Sequence, residues 1–257
     1  MNLKFKYGLH LFFLFIIVVN AQEQRFDIAE GVKVVQDLFN AENNEDVSCY
    51  RIPAMVTAPN GDVIVAIDER VPSCGDLKWS DDINIVIKRS TDHGKTWTPI
   101  ERIVDFPLGK SASDPSMIVD KETGEIFMFY NYMDLINEKD VYYLHVVKSS
   151  DNGKTWSDAK DITSQITKPE WHNDFKFITS GRGIQTSSGK LLHCMVNLDN
   201  GMHVFGSDDH GNTALFVTGG DASVIESSWQ AARSNDVVGD VTISDTLVLE
   251  GLRYLLP

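Results

Sequence analysis

The chain has 257 residues, with 23 Lys and Arg against 37 Asp and Glu, and its formal net charge is −14. An acidic chain without a cluster of basic residues is poorly suited to the phosphate backbone, which argues against a nucleic-acid-binding protein. A hydrophobic content of 42% is typical of a globular protein, and three cysteines are too few for a disulfide scaffold.

The N-terminus is predicted to be a secretory signal peptide that covers residues 1–21. Two lysines precede an apolar run at residues 9–19, and the segment ends on the small residue Ala21. The apolar run has about half the ~20 residues that a membrane-spanning helix needs. We therefore expect an exported protein, secreted, periplasmic or held at the cell surface, without a membrane span after cleavage. Residues 22–46 are expected to form a lead-in segment.

Two cysteines lie on either side of the first predicted strands. Cys49 and Cys74 are either a disulfide pair or two free thiols, and an exported protein would meet an oxidising compartment. Cys194 lies in an apolar run and is expected to be a small core residue.

An octapeptide repeats along the chain. The sequence STDHGKTW at residues 90–97 recurs as SSDNGKTW at residues 149–156, and a more divergent copy, SDDHGNTA, occupies residues 207–214. The aspartates of successive copies are 59 and 58 residues apart (151 − 92 and 209 − 151). Asp, Ser and Gly are residues of tight turns, so each copy is predicted to be a structural hairpin turn.

Short runs with β-type alternation surround these turns. One group precedes the turns, at residues 83–89, 141–148 and 201–206, and a second group lies between them, at residues 62–67, 126–130 and 190–193. A unit of about four strands every 58 residues is typical of a β-propeller blade. The pattern predicts an all-β protein, a β-propeller of which about four blades fit into the 236 residues after the signal peptide (257 − 21).

The octapeptides resemble Asp boxes, and together with the motif Tyr50-Arg51-Ile52-Pro53 they resemble the sialidase (neuraminidase) family over residues 47–226. The resemblance implies a six-bladed propeller and an exo-α-sialidase that removes terminal α-linked sialic acid from glycoproteins, glycolipids or oligosaccharides with retention. Sialylated glycans would be its partners, and it would need no cofactor or metal.

Two arginines match the family pattern in sequence. Arg51 matches the first of three arginines that hold the carboxylate of the sugar, a task suited to a planar and permanently charged guanidinium. Arg70, 19 residues later, resembles a further arginine at the rim of the pocket (70 − 51). Taken alone, Arg51 fits a surface ion pair equally well.

The resemblance also assigns acidic residues. Asp76 matches the general acid/base, although Asp81 and Asp82 are close enough to take that role. Asp114 resembles the aspartate that receives the N-acetyl N–H of the sugar, and its Ser-Asp-Pro context also fits an ordinary turn. Asp221 is the matching position for the glutamate that activates a nucleophilic tyrosine in this family.

A glycine-rich segment completes the predicted site. Arg182, Ile184 and Gln185 lie in a stretch that resembles the pocket lining of the family, where small neighbours let the backbone approach a ligand.

Residues 227–257 contain no further octapeptide and no recognisable context for the two remaining arginines or the tyrosine. We expect this region to be a divergent or truncated end. The alternative function is an inactive partial sialidase that binds sialic acid or serves as an interaction propeller.

Overall fold

In the computed structural model the chain divides into two units, Met1–Asp37 and Leu38–Pro257. The structure describes residues 36–42 and 44–207, which lie almost entirely in the second unit. The predicted signal peptide, most of the lead-in segment and everything after residue 207, Asp221 included, lie outside the described residues. Within the described ranges, no helix is long and apolar enough to cross a membrane.

Three predominantly antiparallel sheets succeed one another along the chain. The first sheet is formed, in this order, by β1 (Cys49–Thr57), β2 (Val63–Val71), β3 (Asp82–Ser90) and β4 (Glu101–Val104). Neighbouring strands in this sheet are also neighbours in sequence, because short turns can join antiparallel strands. This is the topology of a propeller blade.

The second sheet repeats this order with β5 (Lys110–Val119), β6 (Ile126–Asp134), β7 (Tyr143–Ser149) and β8 (Lys160–Asp161). It gains a fifth strand, because β10 (Gly181–Arg182) pairs in parallel with β5. The segment that leads to the third sheet therefore passes along the first strand of the second sheet.

The third sheet has β11 (Ile184–Gln185), β12 (Leu191–Asn197) and β13 (Gly201–Ser207) in order, with β9 (Lys176–Ile178) also paired to β12. Between the second and third sheets lie one short helix, α1 (Thr163–Ile166), and a 3₁₀ turn at Pro169–Trp171. Another 3₁₀ turn, Leu77–Trp79, lies in the loop between β2 and β3.

The all-β prediction is confirmed, and each of the six predicted runs falls on a strand. Alternation and β-branched content predicted these strands; burial alternates along β12, whereas β2 is buried on both faces. The described residues hold three sheets, whereas the sequence predicted about four; the remainder of the chain lies outside them.

The octapeptide turns at residues 90–97 and 149–156 close on themselves in the same way. Asp92 accepts hydrogen bonds from the backbone N–H of Lys95 and Thr96 and from the Thr96 hydroxyl. Asp151 does the same in the second turn. Hydrogen bonds from the threonine side chain and backbone hold the pKa of each aspartate well below its usual range. Both carboxylates serve the turns, as the sequence predicted.

The two largest apolar clusters each join two sheets. The first contains residues of the first two sheets, such as Ile64, Ile87, Met117 and Met128. The second joins the second and third sheets with the following buried residues: Leu144, Ile162, Ile166, Trp171, Ile178, Met195 and Phe205. Burial of apolar area is the main favourable contribution to the folding of such a stack.

His193 is a buried polar residue between the second and third sheets. Its Nε2 atom lies within hydrogen-bonding distance of the Ser116 hydroxyl, and its ring stacks on Phe205. Burial lowers the pKa of His193 to about 4. Cys194, which the sequence predicted to be a core residue, is only partly buried, because alternate residues of β12 point to opposite faces.

Candidate active site

The first strand of each of the first two sheets carries the same irregularity. The pairing of β1 with β2 shifts between Arg51 and Ala54, and Ile52 has a φ of 58°. The pairing of β5 with β6 shifts between Ser113 and Ser116, and Asp114 has a φ of 60°. A left-handed backbone is costly for a β-branched residue such as Ile52, whereas Asp tolerates it. Bulges are over-represented next to active sites, so these two bulges are a place to search for one.

The loop after β2 brings Asp76 back over β1. Cys49 and Cys74 form a disulfide with their Cα atoms 5.7 Å apart, so the loop is joined to the start of β1. Gly75 lies so close to Trp79 that a Cβ atom would come within 2.7 Å of the Trp79 carbonyl oxygen. A larger residue here would displace the loop, and Asp76 with it.

Two arginines converge on Asp76. Arg51 Nη1 donates to Asp76 Oδ1 at 3.2 Å, and Arg70 Nη1 donates to the same oxygen at 2.6 Å. Both arginines also donate to the Cys74 carbonyl oxygen, and Arg70 donates to that of Gly75. Guanidinium groups therefore hold both the carboxylate and the backbone that carries it.

The two arginines differ in their exposure to solvent. The side chain of Arg51 is 44% exposed and that of Asp76 is 59% exposed, whereas the side chain of Arg70 is only 1% exposed. Arg70 was expected at the rim of a pocket, but it lies beneath that surface because the carboxylate of Asp68 holds it there. Arg51 and Asp76 are the members of this trio that a ligand can reach.

Asp68 is a fully buried carboxylate beneath the trio. Its Oδ2 atom accepts from Arg70 Nε at 3.2 Å and Nη2 at 2.8 Å, and its Oδ1 atom accepts from the backbone N–H of Asp114 at 2.9 Å. Burial raises the pKa of Asp68, and the nearby Asp114 carboxylate raises it further, whereas Arg70 and the hydrogen bonds favour the ionised form. Asp68 thus joins the first sheet to the bulge of the second.

Asn131 on β6 has the corresponding role in the second sheet. Its Nδ2 atom donates to Asp114 Oδ2 at 3.1 Å and to the Ile178 carbonyl oxygen at 3.2 Å, and its Oδ1 atom accepts from the Ile178 N–H at 2.7 Å. Ser113 also donates to Asp114 Oδ2. Asp114 is therefore held by neighbours from two sheets.

The remaining predicted residues lie around this cluster or apart from it. Arg182 is exposed on β10, next to β5, and Ile184 is 41% exposed. The Gln185 amide donates to Asp120 Oδ1 and to the Gly189 carbonyl oxygen. Asp120 directly follows the last residue of β5, several residues after Asp114. The structure does not bring Gln185 to the arginines, because it serves the turn after β5.

The structure also separates Asp76 from its sequence neighbours. In the described region of the chain, neither Asp81 nor Asp82 forms an ion pair with Arg51 or Arg70. Burial raises the pKa of Asp82, and Asp105 raises it further. Of these three aspartates, Asp76 is the one that contacts the arginines.

Sequence reasoning missed Asp68 and Asn131. Each lies five positions after the first residue of its strand, Val63 in β2 and Ile126 in β6, so they are equivalent positions of the repeat. A polar residue at the same place in two otherwise buried strands was the available signal. A buried polar residue is rare unless it is paired.

The arrangement combines a fixed positive charge with an exposed carboxyl group. An exposed arginine suits a bound carboxylate, and an exposed aspartate suits proton exchange with a ligand oxygen. Among the described residues, no group of three or more His, Cys, Asp or Glu side chains is arranged to hold a metal ion.

Comparison with known proteins points in one direction. Residues 52–228 match the BNR repeat-like domain family. A sialidase from Micromonospora viridifaciens is 34% identical over 208 residues, which cover 72% of this chain and 31% of that protein. The chain belongs to the sialidase family. The cluster around Asp76 therefore lies in a sialidase-type propeller.

Two further relatives agree with this assignment. A sialidase from Bacteroides fragilis is 30% identical over 169 residues, which cover 58% of this chain and 30% of that protein. The structure of a Hadza microbial sialidase superposes with a TM-score of 0.58 at 29% identity, covering 65% of this chain and 37% of that structure. The chain thus spans about a third of the length of the Micromonospora viridifaciens sialidase and of the Bacteroides fragilis sialidase.

Proposed function

We propose that this protein is an exo-α-sialidase, a retaining glycoside hydrolase that releases terminal α-linked sialic acid from glycoproteins, glycolipids or oligosaccharides. The observation that carries the proposal is the contact of Arg51 and Arg70 with Asp76 in a chain whose relatives are sialidases. The proposal also gives a use to an exposed acid that two cations hold in place.

Arg51 binds the substrate carboxylate in this proposal. Its hydrogen bonds within the described residues are donated by Nη1, and nearly half of the side chain is open to solvent. A guanidinium remains charged at any working pH and binds a carboxylate in a bidentate manner. Long-range repulsion by the acidic chain is screened beyond about 8 Å at physiological salt, so the local arginine decides binding.

Asp76 acts as general acid and then as general base. Both arginines bind its Oδ1 atom, so Oδ2 is the oxygen that protonates the leaving glycosidic oxygen and later takes a proton from water. Sialidases use a tyrosine nucleophile rather than a second carboxylate. We assign its activation to Asp221 by resemblance, and Asp114 to the N-acetyl group. Arg182 and Ile184 line the same side of the pocket in this proposal.

The test is release of sialic acid by the full chain, with sialyllactose and an aryl sialoside as substrates. Asp76→Asn should lower kcat/KM on sialyllactose by about 10²–10⁴-fold, the usual contribution of a general acid. Asp81→Asn is the matched control, because Asp81 lies in the same loop, is exposed and is not paired with the arginines. Undiminished turnover by Asp76→Asn would refute the assignment.

A folded wild-type protein without turnover would favour the second candidate, a sialic-acid-binding propeller. The exposed Arg51 is the observation that supports binding without hydrolysis. Calorimetric titration with free sialic acid should then show binding that Arg51→Ala abolishes. Absence of both turnover and binding would exclude the two candidates together.

A further inference from the structure

We propose that Asp68 is a positioning residue for the glycosidic bond cleavage assigned to Asp76, acting through Arg70 and through the backbone of Asp114. The inference rests on the proposed function, because positioning has a consequence only where Asp76 transfers a proton. It assigns a role to a residue that is fully buried and out of contact with solvent.

One set of Asp68 contacts leads toward the exposed acid. In the described part of the chain, Asp68 accepts the hydrogen bonds it makes: Oδ2 accepts from two N–H groups of Arg70, and Oδ1 accepts from the N–H of Asp114. Arg70 has its remaining Nη1 atom on Asp76 Oδ1, 2.6 Å away. A continuous chain of charge-assisted hydrogen bonds therefore runs from the buried carboxylate to the exposed acid.

Arg70 is fixed at both ends of its guanidinium group. It bonds to Asp68 through Nε and Nη2 and to the loop through Nη1. The side chain is 1% exposed, which leaves little room for another orientation. Arg70 can hold Asp76 in place only if Asp68 holds Arg70 in place.

Asp68 also accepts a hydrogen bond from the neighbouring sheet. Asp114 has a left-handed backbone with a φ of 60°, and its N–H points to Asp68 Oδ1. A strained backbone persists where surrounding contacts favour it. One carboxylate thus supports the acid on the first sheet and the bulge on the second, which fixes the separation of two groups assigned to opposite ends of the sugar.

Asp68→Asn is the informative change. Asn has one acceptor oxygen and one NH₂ donor, so it cannot accept from both Arg70 and the Asp114 N–H. In either orientation of the amide one of these donors faces another donor, and Arg70 loses the negative charge of its partner. The variant therefore weakens the hold of Arg70 on Asp76, which now lies 2.6 Å from Arg70 Nη1.

The readout is the dependence of the rate on the leaving group. Sialyllactose has a poor leaving group that needs protonation, whereas 4-nitrophenyl sialoside has a good one that needs little. Misplacing the acid should lower kcat/KM on sialyllactose at least about tenfold more than on the aryl substrate, a fraction of the 10²–10⁴-fold contribution of general acid catalysis. The ratio of the two rates does not depend on how much of the sample is folded.

Asp62→Asn is the matched control. Asp62 is also a buried aspartate paired with an arginine, Arg89, and it adjoins β2 at the end opposite to Asp68. This variant should leave the substrate ratio at its wild-type value. If Asp68→Asn yields no soluble protein, Arg70→Lys breaks the same chain one residue further and should change the ratio in the same direction.

The outcomes separate the two proposals. If Asp76→Asn changes the substrate ratio and Asp68→Asn does not, the positioning role is refuted and the proposed function stands. If both variants change it and Asp62→Asn does not, the positioning role is supported. A wild-type protein that releases no sialic acid from either substrate overturns the function and this inference with it.

Discussion

The octapeptide turns and the first-strand bulges both occur in each of the first two sheets. The turns repeat the same side-chain contacts, whereas the bulges repeat only a backbone conformation. In the turns, side chains and hydrogen bonds are the same: Asp92 and Asp151 each bind the N–H and hydroxyl groups of a nearby threonine. In the bulges, only the backbone is the same, with a positive φ at Ile52 and Asp114.

The reason lies in the partners of each feature. The carboxylate of an octapeptide turn binds atoms within four residues, so the first two turns use the same aspartate and threonine side chains. The bulges face other sheets and loops, and their side chains differ because each bulge meets a different neighbour. The first carries Arg51 toward Asp76, and the second carries Asp114 toward Asp68 and Asn131.

The largest expected effect comes from removing the Arg51 side chain at the first bulge. Arg51→Ala should lower kcat/KM on sialyllactose by about 10²–10³-fold, because it removes the charged group that we propose to bind the substrate carboxylate. Steady-state kinetics measures this. Ser113→Ala changes the equivalent position of the second bulge and should cost only a few-fold. Equal losses in the two variants would mean that the bulges have equivalent roles.

The next largest effect is expected on stability, from removing the hydrogen bonds of Asn131 between the second and third sheets. Asn131→Leu removes the partners of both the N–H and the C=O group of Ile178, all of which are buried. We expect a loss of about 3 kcal/mol in the free energy of unfolding, since an unsatisfied buried polar group costs about 1–3 kcal/mol. Urea denaturation measures it, and an unchanged midpoint would contradict the role given to Asn131.

A third prediction concerns pH at the same interface. The unfolded chain protonates His193 near pH 6.5 and the folded chain only near pH 4. Lowering the pH through this window therefore favours the unfolded state, by up to about 3 kcal/mol. Stability from this group is present above pH 6.5 and is lost as the pH falls toward 4.

His193→Gln should flatten this dependence in urea denaturation curves recorded at several pH values. His93, whose side chain is exposed in an octapeptide turn, is the control, and His93→Gln should keep the wild-type curve. A curve that stays steep without His193 would assign the pH dependence to other groups.

The smallest expected effect is a difference in stability between alanine variants of the two octapeptide turns. Gly94 and Gly153 both have a positive φ, so alanine at either position should cost about 1 kcal/mol in backbone strain. A Cβ atom at Gly153 would also clash with Ile64 Cδ1 of the first sheet, whereas at Gly94 its nearest contact, with Trp97, would be at 3.6 Å. Gly153→Ala should therefore lower the melting temperature more than Gly94→Ala. Equal shifts would show that Ile64 gives way without cost.

Features that depend on neighbouring residues were predictable from the sequence. The strand pattern and the octapeptide turns follow from alternation and from turn residues, and both are local. The octapeptides together with the Tyr50-Arg51-Ile52-Pro53 motif ahead of the first of them were enough to suggest the family. The sequence favoured Asp76 but left Asp81 and Asp82 open, because only the folded loop shows which aspartate meets the arginines.

The sequence by itself determined that this chain forms repeated all-β units, and where six of the strands and the first two octapeptide turns lie. Hydrogen bonds within a turn and the period of a strand involve residues close in the chain. Only the tertiary structure decided that Cys49 bonds to Cys74, that Arg70 is buried and that Asp68 connects two sheets. These contacts join residues that are far apart or on different strands, and they depend on how sheets pack, which no local pattern specifies.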